Sequence, residues 1–249
     1  MRHYVIYTFV KRVLSDSSFD MAGGMDTATV LLSGGLDSTV LLHYVVKDLG
    51  YGQVFALSFR YGQKHSRELE MAAWQARYLA GVAEHQVIDL PFFSTLAAGS
   101  SALLEGGAEV PALKAVPLDA LDQPPTYVPN RNMILLSLAA AYGEARGCHT
   151  VFYGAQAQDE YGYWDCTAEF VTRVNRVLSL NRRSPVTIQA PFAGQRKSEG
   201  IRLGVRLGVD FAHTWSCYRG EERPCGACPT CVERRQAFAE VGIGDPWFG

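Results

Sequence analysis

Buried-looking apolar runs alternate with amphipathic stretches along most of this chain. Residues 27–32 are apolar and partly β-branched, the pattern of a strand covered on both faces. Residues 39–46 have the length and apolarity of a helix, and Gly50 stops it. Residues 53–59 repeat the strand pattern. From His65 to Ala80, the positions Leu69, Ala72, Ala73, Ala76 and Leu79 keep helical spacing, and Gly81 follows as a stop. Residues 85–90 read as a third strand closed by Pro91. The rhythm breaks over 94–129, where small residues and Pro111, Pro117, Pro124, Pro125 and Pro129 predict an irregular excursion, of the kind that forms a lid or binding loop. Asn130 is placed to cap a helix over 133–146. Residues 150–154 give a fourth strand. Thr167 is placed to cap a helix over 168–180 with Glu169 in its first turn, residues 186–190 give a fifth strand, and 198–207 a last helix.

Regular alternation of strand and helix predicts an α/β fold. Its core is a doubly wound, mostly parallel five-stranded sheet with its ligand at the carboxyl ends of the strands. The turn 33–38 and the loops 153–165 and 191–197 fall at such ends. Residues 1–26 carry breakers ahead of the first strand and read as an arm outside the fold, with Met21 and Met25 as alternative starts. The expected division is therefore 1–26 as arm, 27–212 as the α/β domain and 213–249 as a small C-terminal metal-binding segment.

Composition narrows the function classes. The chain has 249 residues, 48% of them hydrophobic, enough for one well-filled core. A net charge of −2 provides no general electrostatic footprint for nucleic acid. The local cluster Arg173, Arg176, Arg182 and Arg183 reads as a solvated helix face. No run reaches the roughly 18 apolar residues of a membrane span. The short apolar run 4–10 ends in Lys11 and Arg12 rather than in a cleavage site, and four of the six cysteines crowd in one place like metal ligands rather than a disulfide framework, so a cytoplasmic protein is expected.

The chemistry concentrates in two motifs. Ser33-Gly34-Gly35-Leu36-Asp37-Ser38 sits on a turn from strand to helix, with Leu32 before it and Thr39 behind. Its glycines let backbone N–H groups approach an anion, the helix start adds donors and a positive dipole end, and Ser33, Ser38 and Thr39 add hydroxyls. Asp37 would repel a bare phosphate and fits when a divalent cation, Mg²⁺ above all, lies between them. The GK[ST] ending of a Walker loop is absent. The turn resembles the pyrophosphate-binding loop of the adenylating ATP pyrophosphatases; a βα turn capped by Ser and Asp is the plainer alternative. The second motif is Cys217, Cys225, Cys228 and Cys231, spaced C-x7-C-x2-C-x2-C, with Gly220, Pro224, Gly226 and Pro229 supplying turns. Four thiolates closing on one ion suit structural Zn²⁺; an iron–sulfur cluster and a redox dithiol are the rivals. Of the other cysteines, Cys148 reads as a buried thiol.

Taken together, the motifs resemble the 7-cyano-7-deazaguanine synthase family of the queuosine pathway over about residues 27–238. The pieces that carry the likeness are the glycine turn, Tyr61-Gly62-Gln63-Lys64-His65 and Tyr127-Val128-Pro129-Asn130-Arg131-Asn132. Further on come Gly162-Tyr163, Asp165-Cys166, Lys197-Ser198-Glu199, Ser216-Cys217-Tyr218 and Pro224-Cys225-Gly226. The resemblance implies a ligase that spends ATP twice, with Mg²⁺, to convert 7-carboxy-7-deazaguanine and ammonia into the nitrile, with AMP formed at each step. It implies that residues 32–39 hold the nucleotide, that Asp37, Ser38, Arg131 and Lys197 serve the reaction, and that Tyr61, Gln63, His65, Arg131, Tyr163, Trp164 and Asp165 meet the substrate. It assigns zinc to the four cysteines and needs no membrane or nucleic-acid partner; a homodimer is the assembly kept open. One stretch departs from the family, which commonly reads GYPDCR where this chain has Gly162-Tyr163-Trp164-Asp165-Cys166-Thr167. An arginine is replaced by Thr167, so the substrate carboxylate needs a cation from Arg131 or Lys197, Arg173 being too far along its helix. Two other readings stay open: a related ATP-dependent amide ligase for a different carboxylate, and a tRNA-thiolating or RNA-binding zinc protein.

Overall fold

The computed structural model describes residues 26–64, 66–113, 124–157 and 162–249; the proposed arm up to residue 25 and His65 lie outside the described residues. The elements run β1 (Thr27–Leu31), α1 (Leu36–Lys47), β2 (Gln53–Arg60), α2 (Arg67–Tyr78), β3 (Val82–Asp89) and a short α3 (Phe92–Leu96). They continue with α4 (Arg131–Ala145), β4 (Thr150–Phe152), a 3-10 turn (Trp164–Cys166), α5 (Ala168–Leu178), β5 (Thr187–Gln189), α6 (Lys197–Arg206), a second 3-10 turn (Phe211–His213) and α7 (Pro229–Val241).

The sheet order is β3-β2-β1-β4-β5 and every neighbouring pair is parallel. Successive side chains leave opposite faces. On one face Ala28, Val30, Val54, Ala56 and Phe152 pack with α1, α2, α6 and α7. On the other, Leu57, Phe59, Val151 and Ile188 pack with α4 and α5. This double covering explains why the successive residues Ala28, Thr29 and Val30 of β1 are all buried, without alternation. Ala237 and Phe238 of α7 belong to the first of these cores, so the C-terminal helix is rooted in the body of the protein. Strand order reverses across β1, whose neighbours are β2 and β4, and ligand crevices of open α/β sheets form at such a switch.

Three sequence expectations change. β3 starts at Val82, not His85, because Val54 N–H bonds the Gly81 carbonyl at 2.9 Å and opens the pairing early. The excursion is more ordered than its composition suggests: Ala102, Leu103 and Leu104 are buried, and Gln63 and Leu104 form an isolated bridge. Asn130 does precede α4, but in the left-handed region (φ 53°), and among the described residues its side chain makes no capping hydrogen bond. Thr167, by contrast, caps α5 as expected, accepting from Phe170 N–H at 3.1 Å. No helix among the described residues is long and apolar enough to cross a membrane.

Candidate active site

The turn after β1 is shaped by packing from behind. Gly34 has φ +87°, and a Cβ there would lie 1.9 Å from the Glu68 carbonyl oxygen and 2.7 Å from Ala72 N, both backbone atoms of α2. Only glycine fits. Gly35 is extended at the N-cap of α1 (φ −69°, ψ 164°), and its missing side chain faces only the Ser33 hydroxyl, the Trp215 carbonyl and the end of Glu68. The hydroxyls knit the turn: Ser33 Oγ lies 2.9 Å from Ser38 Oγ, Gly35 N–H donates to Ser33 Oγ at 3.2 Å, and Ser38 Oγ donates to the Gly35 carbonyl at 3.2 Å. Trp215 N–H closes the back by donating to the Gly34 carbonyl at 3.0 Å. The N-terminus of α1 is thereby aimed into a cavity with Asp37 in its first turn.

That cavity measures about 720 Å³, at the roomy end of ligand pockets. At the turn, Lys197 is buried with its Nζ 3.1 Å from Glu233 Oε2 and 3.8 Å from Asp37 Oδ2. Lys197 is also the first residue of α6, where the helix dipole disfavours a cation. Its place there is explained by the two carboxylates and the cavity, not by the helix. The oxygens of Asp37, Ser33 and Ser38 are the hard donors that a divalent cation between protein and phosphate requires.

At the far end Arg131 donates from Nη1 to the Tyr61 hydroxyl at 3.2 Å and from Nε to Asn132 Oδ1 at 3.3 Å. Burial works against its charge, but the phenol oxygens of Tyr61, Tyr218 and Tyr153 favour it, and the net direction is upward. Behind it, Tyr153 OH donates to the Asp165 carbonyl at 3.2 Å and lies 3.3 Å from Cys166 Sγ, which also accepts from Asn132 Nδ2 at 3.4 Å. Burial pushes the Asp165 carboxyl up, Arg131 opposing; Asp165 Oδ2 accepts from Asn132 N–H at 3.3 Å, and Oδ1 has no hydrogen-bond partner among the described residues.

The cavity brings together Leu32, Ser33, Gly35, Leu36, Asp37, Ser38, Tyr61, Gln63, Arg131, Tyr163 and Lys197 of the residues singled out by sequence. Gly34 supports the turn from below, and Thr39 is fully buried in the core side of α1. Gln63 spends its amide on the turn after β2, accepting from Tyr61 N–H at 2.8 Å and donating to the Phe59 carbonyl at 3.0 Å. Trp164 and Asp165 stand outside the lining. Trp164 meets the edge of Phe170 at 5.4 Å between centroids and donates to the Tyr127 hydroxyl at 2.9 Å. Arg173 is exposed and pairs with Glu169 at 2.7 Å. Residues to which sequence reasoning gave no site role are Glu233, Glu68, Asn132, Tyr153 and Tyr218, all on the wall, though Asn132 and Tyr218 stood in the motifs. Tyr218 and Glu233 each lie within two residues of a motif cysteine, a signal that was available.

Cys217, Cys225, Cys228 and Cys231 converge, with all four sulfurs within 4.8 Å of one another. Tetrahedral zinc with Zn–S near 2.3 Å needs sulfurs about 3.8 Å apart, so the donor set fits. Cys225 N–H points at Cys217 Sγ (3.4 Å) and Cys228 N–H at Cys225 Sγ (3.3 Å), the outer support that thiolate ligands receive. The cluster adjoins the cavity: Ala102 and Val110 of the excursion pack on it, and Leu113 N–H donates to the Ala227 carbonyl at 3.1 Å.

A model of the queuosine biosynthesis protein QueC family matches residues 27–242. The 7-cyano-7-deazaguanine synthase of Caldicellulosiruptor saccharolyticus is 43% identical over 219 residues, covering 88% of this chain and 93% of that protein. The synthase of the same name from Archaeoglobus fulgidus is 45% identical over 220 residues, 88% of each chain. Among solved structures, NMN synthetase from Francisella tularensis superposes with a TM-score of 0.52 at 16% identity, covering 95% of this chain and 85% of that one, a likeness of fold. Because the match runs from the first strand to the end of α7 and holds at this identity, the chain belongs to the QueC family of queuosine biosynthesis proteins.

Proposed function

We propose that this protein is an ATP- and Mg²⁺-dependent 7-cyano-7-deazaguanine synthase that takes 7-carboxy-7-deazaguanine and ammonia to the nitrile. The observation that carries the reading is one cavity with a cation at each end: Lys197 beside the Asp37–Ser38 turn, and half-buried Arg131 among Tyr61, Tyr153 and Tyr218. The first end suits the β- and γ-phosphates, the second a carboxylate on a planar ring with aromatic walls. A carboxylate cannot expel oxide, so its oxygen must first attack the α-phosphorus, with pyrophosphate leaving. Ammonia then adds to the acyl carbon and AMP leaves, giving the amide and a proton. The amide oxygen repeats the attack on a second ATP, and departure of AMP with two protons leaves the nitrile. Both carboxylate oxygens thus depart on AMP. The protein's part is positional and electrostatic: the α1 N-terminus and Lys197 take up charge on the leaving pyrophosphate, and Arg131 orients the carboxylate. The placement of Arg131 supports it as the cation that compensates for Thr167, whose hydroxyl is engaged in capping α5.

Zinc at the four cysteines supports the cavity wall in this reading; protein purified without added metal should hold about one zinc per chain, and iron with visible absorption would replace it by a cluster. The catalytic test is incubation of purified protein with the 18O-carboxylate compound, ATP, Mg²⁺ and ammonium. Nitrile should form with two AMP and two pyrophosphate, each AMP carrying one label. Release of ADP overturns the mechanism. AMP formed with another carboxylate, and none with this one, makes the protein the related amide ligase that the Trp164–Thr167 departure leaves open.

A further inference from the structure

Arg131 is half-buried and holds the first position of α4, where the helix dipole disfavours a cation, so its place in the cavity wall is not explained by its helix. Side-chain chemistry holds it. Nε donates to Asn132 Oδ1 at 3.3 Å and Nη1 to the Tyr61 hydroxyl at 3.2 Å, while Nη2 makes no hydrogen bond among the described residues. Asn132 is buried and is gripped twice by one turn: its N–H donates to Asp165 Oδ2 at 3.3 Å and its Nδ2 to Cys166 Sγ at 3.4 Å. The directions are forced. A guanidinium only donates, so Asn132 must face it with the amide oxygen and turn the nitrogen to the sulfur. Tyr153 keeps its proton, because burial pushes the phenol well up, and gives it to the Asp165 carbonyl at 3.2 Å. The sulfur, 3.3 Å from that phenol oxygen, is then the donor to it. Each proton of this relay has a place, and the relay ends on Nε of Arg131.

We propose that Asn132 is a positioning residue that holds the Arg131 guanidinium by Nε, so that it meets the substrate carboxylate with its Nη groups. The inference rests on the reading of Arg131 as the cation for that carboxylate. A guanidinium can grip a carboxylate along its Nε–Nη2 edge or across its Nη1–Nη2 end. Asn132 occupies the first edge, and the turn Trp164–Cys166 fixes Asn132 through both backbone and amide. Nη2 and the second Nη1 hydrogen are left for the ligand. Without the amide oxygen, the Tyr61 hydroxyl is the one hydrogen-bonding anchor of the guanidinium among the described residues, and the fork is free to turn at the end of its long side chain. The carboxylate must then supply the order that the protein no longer provides, and binding weakens. Asp165 and Cys166, which no step of the reaction above uses, thereby act on the substrate through Asn132.

The test is calorimetric binding of two ligands to the full-length protein with Mg²⁺ and saturating α,β-methylene-ATP, from which pyrophosphate cannot leave. The ligands are 7-carboxy-7-deazaguanine and 7-deazaguanine, which lacks the carboxylate. Asn132→Leu, close in shape and without polar side-chain atoms, should weaken the first about tenfold and leave the second within about twofold of wild type. Asn132→Ser, a smaller side chain that stops short of Nε, should act in the same way and covers failure of the leucine variant to fold. In an Arg131→Met background, Asn132→Leu should change nothing further, since the residue acts through the guanidinium. Unchanged binding of the carboxylate ligand in the variants, equal losses for the two ligands, or a full loss persisting without Arg131 would each overturn the proposal. A wild type that binds the two ligands equally overturns the reading of Arg131 itself, and one that binds neither overturns the deazaguanine substrate; this inference falls with either.

Discussion

The two ends of the cavity are built in different ways. The end proposed for phosphate is a run of neighbours, Leu32 to Ser38, whose hydroxyls and amides bond mainly to one another. The far end gathers Tyr61, Thr126, Arg131, Tyr153, Tyr163 and Tyr218, from separate loops and strand ends. The first is bonded within itself and braced from behind by α2 and Trp215. The second depends on the correct docking of the excursion, of β4 and of the cysteine segment. The contrast teaches that one motif can fix where charge is handled while leaving open which molecule carries it.

The comparison breaks first at Gly34. Placing a methyl 1.9 Å from a backbone oxygen at φ +87° should cost about 3 kcal/mol or more, read as a large fall in Tm for Gly34→Ala. Gly35→Ala, in extended backbone with a movable hydroxyl nearby, should cost about 1 kcal/mol or less. Equal costs would mean that the turn does not lean on α2. Next, Asp37→Asn should cut pyrophosphate release by about a hundredfold with little change in Tm, the usual scale for a key electrostatic group. Arg131→Lys sharpens the other side. A single ammonium cannot reproduce the guanidinium fork, so KM for the carboxylate should rise about tenfold while KM for ATP stays put. A matching rise in both would mean the two ends are not separate. Smallest is Thr167→Ala, which should lose about 1 kcal/mol of stability through its cap and leave both KM values unchanged.

The legible part of the molecule follows the same division. Strand–helix alternation gave the parallel doubly wound sheet, because burial of both faces imposes unbroken apolar runs on its strands. The glycine turn and the four cysteines were readable because each is local. Gln63 was readable as a site residue, but its bonds to the Tyr61 N–H and the Phe59 carbonyl, which turn it toward its own loop, depend on backbone geometry. Asn130 has the composition of a cap and the dihedral of a turn, and only the path of the preceding Pro-rich chain decides between them. Trp164 was expected to meet the substrate, and the described geometry has it braced on Phe170 and Tyr127 outside the cavity lining, while Cys166, two residues on, lines it. Glu233 escaped notice, and Tyr218 was given no role, because the cysteines beside them accounted for the segment.

The hydrogen bond from Trp215 N–H to the Gly34 carbonyl has a bearing on how the protein is made. The turn emerges from the ribosome about 180 residues ahead of Trp215, which supplies the strut behind it. A growing chain therefore carries the apolar edge of β1 and the glycine turn before anything can brace them. A chain cut short before residue 215 would hold the complete SGGLDS sequence and still lack the strut that fixes its shape, so a nonsense product of the gene would be a collapsing fragment, not a nucleotide trap.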